Sequence, residues 1–141
     1  MVVVINTEHF IEHLEYSDAI TFLGECQRVP KIGVTMRIVV PDAEKYMGAY
    51  VNNDTTFFRQ LRNLGGETRE PYPPKMQLQP DVPYGRILPV YLRFETLEHV
   101  MRQIGFRTMQ QSHHDDRSSP YCIDGQDWWR PVESIYVSLV K

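Results

Sequence analysis

Val34-Thr35-Met36-Arg37-Ile38-Val39-Val40 is the stretch whose reading decides the fold. Val34, Met36, Ile38 and Val40 fall to one side and Thr35, Arg37 and Val39 to the other. That is the period of two expected of a strand with one face on a core. Pro41-Asp42 ends it. Upstream, Val2-Val3-Val4-Ile5 is an uninterrupted β-branched run, which suits a strand covered on both faces. Between the two, Thr7 reads as the cap of a helix with Phe10, Ile11 and Leu14 on its apolar side. Ser17 and Asp18 read as a second cap leading into Ala19, Ile20, Phe22, Leu23 and Cys26, either as a continuation after a break or as a new helix. Pro30 and Gly33 close this region.

Downstream, Asp54 caps a helix with Phe57, Phe58, Leu61 and Leu64 on one stripe, stopped by Gly65-Gly66. Leu88, Val90, Leu92 and Phe94 alternate with Pro89, Tyr91 and Arg93, a strand whose proline argues for an edge or a bulge. Thr96 caps the next helix, with Leu97, Val100, Met101 and Ile104 on one face, and Gly105-Phe106 supplies a glycine stop with its hydrophobic contact. Phe106 to Met109 reads as a short strand. Val132 to Val140 closes the chain as another, with Ile135, Val137 and Leu139 inward and Ser134, Tyr136 and Ser138 outward.

Two segments carry no period. Residues 67–85 hold Pro71, Pro73, Pro74, Pro80 and Pro83 and read as an extended loop, because proline fixes φ and removes backbone donors. Residues 110–130 form a second, polar loop. The sum is a single domain over 1–141, α+β or α/β. We expect a compact two-layer sandwich with a mixed sheet of four or five strands, three or four helices and two long irregular loops.

Composition sets limits on function. With 141 residues, 42% apolar and 23% charged, the chain is one globular domain long and needs neither disulfide nor metal to fold. A formal charge of −3 excludes a generally basic, phosphate-coating protein and argues against nucleic acid as a partner. No apolar run approaches the length of a membrane span, and Met1 to Phe10 lacks the basic region of a secretory signal. Cys26 and Cys122 have no metal-type spacing and read as free thiols in a reducing cytoplasm, or a host cytoplasm for a viral protein.

His9-Phe10-Ile11-Glu12-His13 spells H-x-x-E-H, in which two histidines one helical turn apart can share a zinc ion while Glu12 activates its water. Residues 1–27 also hold Glu8, Glu15, Asp18 and Glu25 and no Lys or Arg, so a solvated acidic face accounts for Glu12 without a metal. Ser112-His113-His114-Asp115-Asp116 is the densest group of ligand-type side chains. In an extended chain His113 pairs in direction with Asp115 and His114 with Asp116, so at most two reach one ion and Asp124, Asp127 or Glu133 would have to complete the set. No G-x-S-x-G elbow and no phosphate-cradling glycine loop occur.

Tyr72, Tyr84, Tyr121, Trp128 and Trp129 fall in the two irregular segments, near Arg86, Arg117 and Arg130. Rings and guanidinium groups outside any patterned element have the composition of a binding surface. The leading expectation is therefore a non-enzymatic interaction or assembly protein that grips a protein partner or its own copies through these loops, with no cofactor. A viral or phage accessory or virion component fits that description. The alternatives are a small metal-dependent hydrolase of phosphoesters or nucleic acid centred on His113, His114, Asp115 and Asp116, and a binder of nucleotides or single-stranded nucleic acid.

Overall fold

Strand β1 (Val4–Glu8) pairs in parallel with β2 (Thr35–Pro41), and helix α1 (Tyr16–Arg28) makes the crossover between them. The computed structural model describes residues 4–31, 34–64, 93–114, 124 and 130–141. After β2 come α2 (Ala43–Val51), α3 (Thr55–Leu64), α4 (Phe94–Ile104), β3 (Thr108–Ser112), a one-turn α5 (Arg130–Glu133) and β4 (Ser134–Val140). The sheet order is β1-β2-β4-β3, and β4 is antiparallel to both its neighbours. The expected α+β class with a mixed sheet is what forms. β1, β2 and β3 share one direction, so their carboxyl ends meet the amino end of β4 at a single edge of the sheet.

One face of the sheet carries the core. Met36, Ile38, Val40, Ile135, Val137 and Leu139 pack against Ala19, Leu23 and Cys26 of α1 and Leu97, Val100 and Met101 of α4. Each large apolar side chain fully buried here contributes about 1.5–3 kcal/mol. The α4 stripe is the one read from the sequence. Its glycine stop also forms: Gly105 sits at φ 111°, and the Phe106 N–H returns to the Met101 carbonyl at 3.0 Å. Asp54 caps α3 through Oδ1, which accepts from the N–H groups of Thr56 at 3.0 Å and Phe57 at 3.1 Å.

Several local expectations are corrected. Thr7 is not a helix cap but lies in β1, and its hydroxyl donates to the Arg37 carbonyl across the strand pair. Only a 3₁₀ turn, Ile11–His13, precedes α1, whose N-cap is Glu15 rather than Ser17 or Asp18. The sequence reading assigns no element to residues 43–51, where helix α2 forms. Its signals are Asp42, which caps by accepting from the Glu44 N–H at 2.9 Å, and the helical spacing of Ala43, Tyr46, Met47 and Tyr50. α4 begins at Phe94, two residues before the expected Thr96 cap, so Phe94 belongs to a helix and not a strand. β3 runs to Ser112 and α5 begins at Arg130, which shortens the second irregular segment at both ends. The strand expected over 88–92, the glycines at 65–66 and the loop 67–85 lie outside the described residues.

The largest correction concerns β2 and β4. Both were read as half-solvated, yet Arg37, Val39, Ser134 and Tyr136 on the second face are also buried. Polar residues on that face are therefore held by specific partners rather than by water, and those partners define the site.

Candidate active site

One polar cluster lies on the second face of the sheet and another at the edge where the strand ends meet. The first is built on Arg37, which is completely buried. Its Nε and Nη2 form a two-pronged pair with Asp124 at 3.0 and 2.8 Å. Nη1 donates to Ser112 Oγ at 2.9 Å and Ser138 Oγ at 3.1 Å, and Nη2 to the His113 carbonyl at 2.7 Å. All five guanidinium N–H bonds have an acceptor. The carbon of the guanidinium also lies 5.1 Å from the centre of the Tyr136 ring. Asp124, considered from sequence as a metal ligand, is committed to this pair.

The second cluster is built on His9. This residue follows β1 with φ 47°, a left-handed conformation that an L-residue with a Cβ adopts only when its surroundings impose it. Its N–H donates to the Val39 carbonyl at 2.9 Å, which continues the β1–β2 pairing past the strand and turns the imidazole over the sheet edge. Nδ1 lies 3.1 Å from Glu12 Oε1, and Nε2 lies 2.9 Å from Ser134 Oγ and 3.7 Å from Glu133 Oε1. A carboxylate only accepts, so Nδ1 carries the hydrogen and Nε2 presents its lone pair to the Ser134 hydroxyl.

The register explains the meeting. Glu8 pairs with Val39 and Pro41 with Ser134, so the end of β1 and the start of β4 sit on either side of the end of β2. Helix α2 supplies the outer wall. The Tyr46 hydroxyl donates to Glu133 Oε2, and the Lys45 ammonium donates to the Ser134 carbonyl at 2.7 Å. The Asp42 N–H donates to the Glu133 carbonyl at 2.8 Å, which locks α5 to the end of β2.

Electrostatically the second cluster is unbalanced. Its core is one imidazole between two carboxylates, all three largely withdrawn from solvent. Burial pushes the Glu133 carboxyl up to about 7 from an ordinary 4.5. His9 and Lys45 oppose the shift, and the neighbouring Glu12 adds to it. Glu12 Oε2 is buried with no hydrogen-bond partner among the described residues. Perturbed carboxylates of this kind concentrate at functional sites. Beside the cluster lies a concavity of about 290 Å³, lined by Lys45, Ser112, His113, His114, Ser134 and Tyr136 among others. It opens at the carboxyl ends of the parallel strands, where α/β folds bind their ligands.

The residues chosen from sequence fare differently. His9 and Glu12 belong to the site, although the solvated-face reading had set them aside. His13 does not join His9 as a zinc pair, because it turns outward, 64% exposed, while His9 Nε2 is directed at Ser134. His113 is exposed and His114 packs edge-on to the Tyr136 ring at 5.7 Å, so the two splay apart. Among the described residues no group of three His, Cys, Asp or Glu is placed to hold a metal ion. Asp115, Asp116, Tyr72, Tyr84, Arg86, Arg117, Tyr121, Cys122, Trp128 and Trp129 lie outside the described residues, and Arg130 opens α5. Cys26 is a buried free thiol. Among the described residues no helix is long and apolar enough to cross a membrane. Glu133, Ser134, Lys45 and Tyr46 are the functional residues that sequence reasoning missed, apart from Glu133 as a possible distant ligand.

No family model and no curated protein matches the chain. Among solved structures it is similar to the crystal structure of a SAM-dependent methyltransferase from Archaeoglobus fulgidus, at 15% identity and a TM-score of 0.48, over 99% of this chain and 59% of that one. The expected non-enzymatic assembly protein does not stand. That expectation took the chain to lack a catalytic constellation, whereas the described residues bring a largely buried imidazole, a carboxylate and a serine hydroxyl within hydrogen-bond distance of one another.

Proposed function

We propose that the protein is a hydrolase that transfers an acyl group to water by way of Ser134, with His9 as the base and Glu12 as the group that orients it. One observation carries this reading: the two nitrogens of a single imidazole face a carboxylate at 3.1 Å and a serine hydroxyl at 2.9 Å. Those are the relations that let a neutral histidine draw the proton from a serine, whatever the order of the residues in the chain.

In the reaction, Ser134 Oγ bonds to the acyl carbon while its proton passes to His9 Nε2. The carbon–oxygen bond to the leaving group then breaks, and the departing oxygen takes that proton. Water repeats the sequence to release the acid and restore Ser134. The imidazolium formed in between stands beside Glu12, which favours its charge, and 3.7 Å from Glu133, which adds to that once it ionises above about pH 7. Ser134 is 1% exposed and lines the concavity, which places its hydroxyl where bulk water is thinned and a bound ester is presented to it.

Hydrolysis of p-nitrophenyl esters tests the assignment. Ser134→Ala and His9→Gln should each lower the rate by about 10⁴- to 10⁶-fold, the loss typical of removing the nucleophile or base of such a set, while the melting temperature confirms a folded protein. A Ser134→Ala protein that hydrolyses the ester at the wild-type rate refutes it.

A further inference from the structure

We infer that the concavity beside Ser134 binds a small anion, a carboxylate or phosphate group that forms part of the substrate. This rests on the hydrolase reading only in calling the occupant a substrate. The chain holds 18 Asp and Glu against 15 Lys and Arg, yet among the described residues no carboxylate lines this space. Its lining instead includes Lys45, His113 and His114, beside Ser112, Ser134 and Tyr136. That set contains one fixed positive charge, the Lys45 ammonium, and two imidazoles.

Lys45 is held in place rather than swinging. One of its three N–H bonds goes to the Ser134 carbonyl at 2.7 Å, and the other two have no partner among the described residues. That contact fixes the ammonium beside the residue proposed as nucleophile, where an acid group at the far end of a short acyl chain would meet it. A volume of about 290 Å³ is at the lower limit for ligand pockets, which suits a molecule far smaller than a nucleotide.

Titration with inorganic phosphate, malonate and the neutral malonamide, at constant ionic strength, tests this by the NMR signals of the His113 and His114 rings. Phosphate and malonate should shift both rings saturably with a Kd on the order of millimolar, and malonamide should not. Lys45→Gln should weaken malonate binding about tenfold, the size expected for one charge-assisted hydrogen bond, whereas Lys45→Arg should retain it. Melting curves of both variants are read alongside. Absence of a saturable shift with either anion, an equal response to malonamide, or unchanged affinity in a folded Lys45→Gln protein would each overturn the proposal. Ester hydrolysis and anion binding are separate readouts. Binding without Ser134-dependent hydrolysis refutes the nucleophile, and hydrolysis without binding refutes the anion site.

Discussion

Arg37 and His9 anchor two buried polar clusters of one sheet, the first on its second face and the second at the edge where the strand ends meet, and the two are built to opposite rules. Around Arg37 every donor finds an acceptor and the positive charge meets one negative partner, Asp124. Around His9 one imidazole faces two carboxylates, and Glu133 holds its proton up to about pH 7. A matched cluster fastens the chain: it ties Ser112, His113 and Asp124 to the back of the sheet. A mismatched one keeps a proton available to move. The difference in satisfaction, not in burial, separates scaffold from chemistry.

The comparison breaks most sharply at Arg37. Arg37→Met leaves Asp124 buried without its cation and should cost about 3–5 kcal/mol in urea unfolding. A loss below 1 kcal/mol would mean the pair is not the fastening it is taken to be. At Glu133 the sign reverses. Its carboxyl binds a proton more tightly when folded than unfolded, so stability falls as pH rises from about 4.5 to about 7, and the full cost is present above that range. Glu133→Gln removes the cost. It should unfold at higher urea than the wild type at about pH 8, by up to about 3 kcal/mol, and match it near pH 4. Equal stability at both pH values would contradict the mismatch. The control is Asp54→Ala, outside both clusters, which should lose only about 1 kcal/mol by removing the α3 cap and leave ester hydrolysis unchanged.

What could be read in the sequence was whatever a local period or cap encodes. The stripe Leu97, Val100, Met101 and Ile104, the Asp54 cap and the alternation of Val34 to Val40 are visible within a few residues, and α3, α4 and β2 follow from them. Helix α2 has Ala43, Tyr46, Met47 and Tyr50 at helical spacing, but Met47 and Tyr50 are exposed and only Ala43 and Ala49 are buried, so its period does not mark a core face. The buried second face was not legible because Arg37 beside Val39 looks like a solvated strand face until Asp124, 87 residues on, covers the charge. The site shows the same limit. His9 and Glu12 stood in view as a motif, but their meaning lies in Ser134, 125 residues away, and only the pairing of Pro41 with Ser134 brings it to them.

The most direct test of the reactive cluster is to treat the folded protein with a fluorophosphonate and find the modified residue by peptide mass. The account predicts phosphonylation at Ser134, lost in His9→Gln and retained in Asp54→Ala. A protein that stays unlabelled, or one labelled equally when Ser134 is replaced by alanine, would contradict it.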